Sequence, residues 1–152
     1  MLRTILLAAA VLGTVCGIAL AHGASHMPRP FLQRHAVMGS LAAHMKSAKT
    51  AMASGELKTV AGQAEAIHWL ARMLPDIFPN GSGPEMGKTR AAPKIWNDWQ
   101  GFVVASNRLA ETATALKQAA ESNNTGATQA AFKATATDGC GGCHKVYRLP
   151  KG

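Results

Sequence analysis

Two cysteines and a histidine stand together near the C-terminus, in the run Cys140-Gly141-Gly142-Cys143-His144. On a helix advancing 100° per residue, Cys140, Cys143 and His144 fall within roughly a 100° sector, so two thiols and an imidazole can meet one flat ligand. C-x-x-C-H is the attachment signature of c-type haem: each thiol forms a thioether to a vinyl group, and the imidazole beside them binds the iron. Three other uses of these residues fit less well. A thioredoxin-like dithiol opens a helix after a strand, and no strand pattern precedes Asp138. A structural zinc site needs a fourth ligand and often a second paired motif. A disulfide across two residues would staple little of the chain. The expectation is one covalent haem c on Cys140 and Cys143, with His144 as an axial ligand of the iron.

A second axial ligand would come from elsewhere. A helix read from Pro30 to about Ala53 carries the stripe Met38, Leu41, Met45, Ala48 and Met52, whose alternating steps of three and four make a bundle seam. A thioether is a soft ligand that suits haem iron, and a Met/His pair raises the reduction potential. A methionine at helical spacing is nonetheless more often core filler. The stripe alone therefore does not select Met38, and Met45 stands in reserve. His35 and His44 lie off the seam and read as rim or solvent-facing residues. His68, beside Trp69, reads as a packed or surface residue, and His22 and His26 carry no function here.

The remaining elements must present these residues to one ligand. A second helix is predicted from about Glu56 to Leu74, with Leu57, Val60, Ala64, Ile67, Ala71 and Leu74 inward, until Pro75 breaks it. Residues 75 to 92 form a long, Pro- and Gly-rich connection, which in so small a domain is functional or covers a buried group. A third helix opens at Pro93, shows Trp96, Trp99, Phe102 or Val103, Leu109, Ala113 and Leu116, and fades in Glu121-Ser122-Asn123-Asn124. The fourth starts near Thr125, carries Ala130, Ala131 and Phe132, and leads through the cysteine motif to about Arg148. Aromatics are only 5% of the chain and helix formers abound, which predicts an all-α protein. Short links between the first two and the last two helices predict an antiparallel, up-down-up-down four-helix bundle. Its Ala-rich core is thin, and a large apolar cofactor would supply missing volume.

Residues 1–21 carry Arg3, an apolar run from Ile5 to Val15 and Ala19-Leu20-Ala21, the form of a signal peptide cleaved before His22. The apolar run is short for a bilayer span, so export to the periplasm without a membrane anchor is expected. Cleavage removes Arg3 from a chain of net charge +8 and leaves the two motif cysteines. The basic residues are scattered, with no run and no interleaved aromatics, so a nucleic-acid role is not supported. Docking to an acidic redox protein fits the charge, as does a plain solvated surface. No acid/base constellation, nucleophile elbow or phosphate loop marks an enzyme.

A C-terminal attachment motif followed by Tyr147-Arg148, closing a four-helix chain of this size, resembles the class II cytochromes c, the cytochrome c′ family, over essentially all of residues 22–152. The resemblance implies a haem inside the bundle against the fourth helix, with a first-helix residue on the far side of the iron. In Arg34-His35-Ala36-Val37-Met38 it implies that Arg34 neutralises a haem propionate and that Met38 faces the iron; an exposed helix charge is the other reading of Arg34. Met38, together with Leu74-Pro75-Asp76-Ile77-Phe78-Pro79 and Pro93-Lys94-Ile95-Trp96, resembles the six-coordinate, low-spin subgroup, whose members transfer electrons. The alternative is a five-coordinate cytochrome c′ that binds nitric oxide or carbon monoxide. By the same resemblance Arg148 lies near the proximal imidazole, and a homodimer through the first two helices is possible.

Overall fold

The computed structural model describes residues 27–151. The signal-peptide reading of residues 1–21, and His22 and His26, lie outside the described residues.

Helix α1, Arg29–Ala53, has Pro30 in its first turn, where a missing N–H removes no helical hydrogen bond. It ends where Gly55 takes a φ of 74°, the left-handed conformation that glycine adopts without a Cβ clash. The Gly55 and Glu56 amides then turn back onto Met52 O and Ala51 O at 3.2 and 2.9 Å. Helix α2, Leu57–Arg72, stops two residues short of the expected Leu74. Pro75 has no N–H to donate to Ala71 O, and the Ser106 hydroxyl donates to that carbonyl instead, at 2.7 Å. A single tight turn, Pro75–Ile77, follows.

The third predicted helix is two pieces. A one-turn helix α3, Lys94–Asn97, breaks at Asp98, whose φ of −137° is not helical. Asp98 then caps α4, Trp99–Glu121, by accepting from the Gly101 amide at 3.3 Å. The break turns Trp99 outward, to 38% exposure, so it is not a core residue as the stripe predicted. Phe102, not Val103, takes the buried position.

The fourth bundle helix is also composite. Asn124 caps α5, Thr125–Ala134. The chain then widens into a π-helical segment, Thr135–Gly141, and returns to α geometry in α6, Gly142–Tyr147. With the wider turn the inward positions recur every fourth residue: Thr135 and Gly139 buried, Cys143 half-buried, Tyr147 buried.

Neighbouring bundle helices run antiparallel. His44 meets Gln63 across α1 and α2, Ala71 and His68 meet Ser106 and Ala110 across α2 and α4, and Thr112 meets Thr135 across α4 and the π segment. With α5 to α6 as the fourth member, this is the expected all-α four-helix bundle, and no strand occurs among the described residues. The two ends of the bundle are packed differently. Small residues, Ala48, Ala51, Ala61, Ala64 and Ala120, surround Leu57, Val60 and Leu116 at the end bearing the 54–56 turn. The other end holds Leu41, Ile67, Leu74, Phe78, Ile95, Phe102, Leu109 and Tyr147, and it is this bulkier cluster that receives the cysteine motif.

Candidate haem site

Cys140 lies in the π segment and Cys143 on α6, and both are unpaired, half-buried thiols packed against the bulky cluster. Burial pushes the Cys140 thiol up, and burial together with neighbouring Cys140 pushes Cys143 up to about 11. Both are thiols rather than thiolates at neutral pH, the opposite of a reactive dithiol. Among the described residues no three His, Cys, Asp or Glu side chains are grouped so as to hold a metal ion. His144 is half-buried. Burial first, and then the positive charges of Arg148 and Arg90, hold its imidazole below the ordinary histidine value, so it is neutral and its ring can act as a ligand.

The π segment seats this motif on α4. Gly139 presses so closely on α4 that a Cβ there would lie 2.8 Å from both Leu109 Cδ1 and Thr112 Oγ1. Thr135 fixes the start of the turn by donating to Thr112 O, at 3.1 Å. The end of α6 is clamped as well. Tyr147 O accepts from Ala92 N at 3.1 Å, Leu149 N donates to Arg90 O at 2.8 Å, and the Tyr147 hydroxyl donates to Asp98 Oδ2 at 3.0 Å. Burial and the Asp98 carboxylate raise the Tyr147 phenol to about 12.

From α1, Met38 and Met45 both reach the cluster that holds Cys140 and Cys143, and both are half-buried. The histidines are elsewhere. His35 is exposed, the His44 ring pairs with Gln63 Oε1 at 2.7 Å, and His68 is engaged with Ala110 O and Thr114 Oγ1 at 3.2 and 3.0 Å.

Arg34 is not an exposed helix charge; it is 6% exposed. Its guanidinium donates to Ile77 O at 2.9 Å and Ser82 O at 2.7 Å, and also to Ser82 Oγ. It lies 4.2 Å from the centre of the Phe78 ring, with Phe31 and Trp96 at 5.5 and 5.4 Å. Burial lowers its pKa, against the pull of Glu85. Helix α1 thus holds the 75–82 connection closed over the bulky cluster. Arg148, by contrast, is exposed beside the clamp.

The model of the family described as Cytochrome C′ matches residues 30–148. The chain belongs to the cytochrome c′ family. A cytochrome c-556 of Agrobacterium tumefaciens (strain II Chrys) is 35% identical over 75% of this chain and 86% of its own length. A cytochrome c′ of Rhodospirillum rubrum is 35% identical over 58% of each chain, so the aligned stretch spans little more than half of that relative. Among solved structures, a nitric oxide complex of a mutant cytochrome c prime from Alcaligenes xylosoxidans superposes with a TM-score of 0.68 at 21% identity, covering 82% of this chain and 99% of that one. The protein is accordingly a monohaem cytochrome of the cytochrome c′ and c-556 kind, and its cofactor is one covalent haem c. The residues present fit that group: two unpaired thiols one turn apart pack against an apolar cluster, and a half-buried imidazole directly follows the second of them.

Sequence reading did not find Gly139, Ser82, Asp98 or Arg90. Asp98 carried a signal, since an Asp three residues before Gly101 and just ahead of an apolar-periodic run is an N-cap pattern. Gly139 carried none beyond being a glycine inside a helical stretch.

Proposed function

We propose that the protein is a periplasmic electron carrier, exported by residues 1–21, in which Cys140 and Cys143 form the two thioethers and His144 and Met38 are the axial ligands of a six-coordinate, low-spin haem iron. The observation that carries this reading is that Met38 of α1 and the two cysteines of the attachment motif, Cys140 and Cys143, all pack against one apolar cluster. The bound haem supplies a one-electron couple, and the Met/His pair favours its ferrous form. The chain's own residues hold it. Gly139 and the Tyr147 clamp fix the attachment helix against α4, and Arg34 keeps the 75–82 connection over the apolar end, excluding water. Three of the five guanidinium N–H groups of Arg34 are occupied by Ile77 and Ser82, and the other two remain for a propionate. Arg148 tunes access to the proximal imidazole.

The test is the absorption spectrum of the exported protein, oxidised and reduced, with carbon monoxide added last. Low-spin bands with a sharp reduced α peak and no response to the gas support the carrier. A second reading, a gas-binding cytochrome, is favoured by the likeness to a protein solved as a nitric oxide complex. High-spin bands that shift with the gas would establish that reading instead.

A further inference from the structure

Cations that are scattered in the sequence are gathered at one place by the fold. Residues 86–97 and 139–152 contain no Asp or Glu. The antiparallel pairing of Ala91 with Arg148, closed by Ala92 N to Tyr147 O and Leu149 N to Arg90 O, lays these two segments side by side. Lys88 and Arg90 thereby come alongside Arg148 and Lys151, with Lys145 next to His144 on α6. All but the half-buried Arg90 are exposed.

The ion pairs among the described residues use other cations: Lys94 with Asp98, Arg108 with Glu111 and Lys117 with Glu121. The acids nearest in the chain, Asp98 in the clamp itself among them, are already engaged by other groups. Asp98 accepts from Tyr147 and Gly101 and pairs with Lys94, Glu85 accepts from the Gly83 amide, and Asp138 accepts from Thr137. Lys88, Arg90, Lys145, Arg148 and Lys151 therefore repel one another with no carboxylate partner among the described residues. Such a cluster costs stability, and its use is long-range attraction of an anionic surface.

We propose that this face, from Lys88 to Lys151 around the clamp, is the docking surface for an acidic electron-transfer protein. The proposal rests on the electron-carrier reading above. In the encounter one electron passes from the partner's reduced centre to the ferric haem, with no bond or proton exchanged, and the basic face brings the partner to the side of the bundle that bears His144. Charge of this kind sets the rate of encounter and its salt dependence rather than the tightness of the final complex.

The experiment uses the haem-loaded protein and two small redox reagents of opposite charge, anionic iron(II)–EDTA and cationic hexaammineruthenium(II), in stopped flow. The variant K88E/K151E reverses two charges in the face. K49E/K58E makes the same change in net charge beside the turn at the opposite end of the bundle. At about 10 mM salt, K88E/K151E is expected to slow iron(II)–EDTA about tenfold and to speed the ruthenium reagent. K49E/K58E should change either rate less than twofold, and all differences should shrink as salt shortens the screening length. Equal effects of the two variants, or none, would overturn the assignment of the face. Retention on phosphatidylglycerol vesicles that K88E/K151E abolishes, with both reagent rates unchanged, would overturn it in favour of a lipid surface. Failure of the unaltered protein to take and return an electron reversibly would instead refute the carrier reading itself.

Discussion

Arg34→Ala is expected to be among the most damaging single substitutions outside the haem-attachment motif. It removes a buried guanidinium that donates to Ile77 O, Ser82 O and Ser82 Oγ and lies over the Phe78 ring. Hydrogen bonds from a charged donor contribute about 1.5–3 kcal/mol each, but the three share one group and one loop and do not add fully. Water entering the vacated volume recovers part of the loss at the two carbonyls, while the aromatic faces lose a cation contact of about 1 kcal/mol. The net cost is about 3–5 kcal/mol, which for a domain of this size lowers Tm by roughly 10–20 °C. Arg34→Lys keeps the charge but not the planar fork that reaches Ile77 and Ser82 together, so it should recover less than half of the loss. Thermal unfolding of the haem-loaded protein followed by circular dichroism gives Tm, and limited proteolysis between residues 75 and 87 reports on the loop. A fall of under about 2 °C for the Ala variant, or full recovery by Lys, would refute the idea that this side chain holds the connection closed.

Three further variants probe the seat of the attachment helix and the attachment itself. Gly139→Ala should destabilise by about 1–3 kcal/mol through the clash with Leu109 and Thr112, although the same change in an ordinary helix stabilises; a raised Tm would contradict the close seating on α4. Tyr147→Phe removes the hydroxyl that does most to hold the Asp98 carboxylate below its ordinary value, ahead of Lys94. A carboxyl with a lowered folded-state pKa stabilises fully above its unfolded value and loses that contribution as pH falls through the folded one. The Tm gap between wild type and Tyr147→Phe, expected at about 2–4 °C near neutrality, should therefore narrow below about pH 3.8; a gap independent of pH would contradict it. Cys140→Ser with Cys143→Ser should leave no haem on the chain in a denaturing gel stained for haem, and a stained band would show attachment elsewhere.

The bundle was legible because its helices announce themselves in apolar spacing and punctuation: Gly55 and Pro75 stop helices within two residues of where they were expected. The attachment motif was legible because thiols and imidazole at that spacing have few other uses. What spacing could not show was the effect of distant segments. Arg34 read as solvent or propionate partner because a charge on a helix is usually solvated, and its burial depends on Ile77 and Ser82 returning from another part of the chain. The break at Asp98 reversed the facing of Trp99, which a continuous helix from Pro93 would have buried. The π segment was invisible for a related reason: its width is set by how Gly139 packs on Leu109 and Thr112, a tertiary fit with no local signature. The basic face, too, exists only once the 86–92 and 147–151 segments pair.

The ligand set on the iron is the claim on which the functional account turns, and the spectrum of Met38→Ala, with and without carbon monoxide, tests it most directly. The account predicts that haem stays attached, the iron turns from low-spin to high-spin, and the reduced protein now binds the gas. A variant that keeps the low-spin spectrum and ignores carbon monoxide would contradict it and move the assignment to Met45.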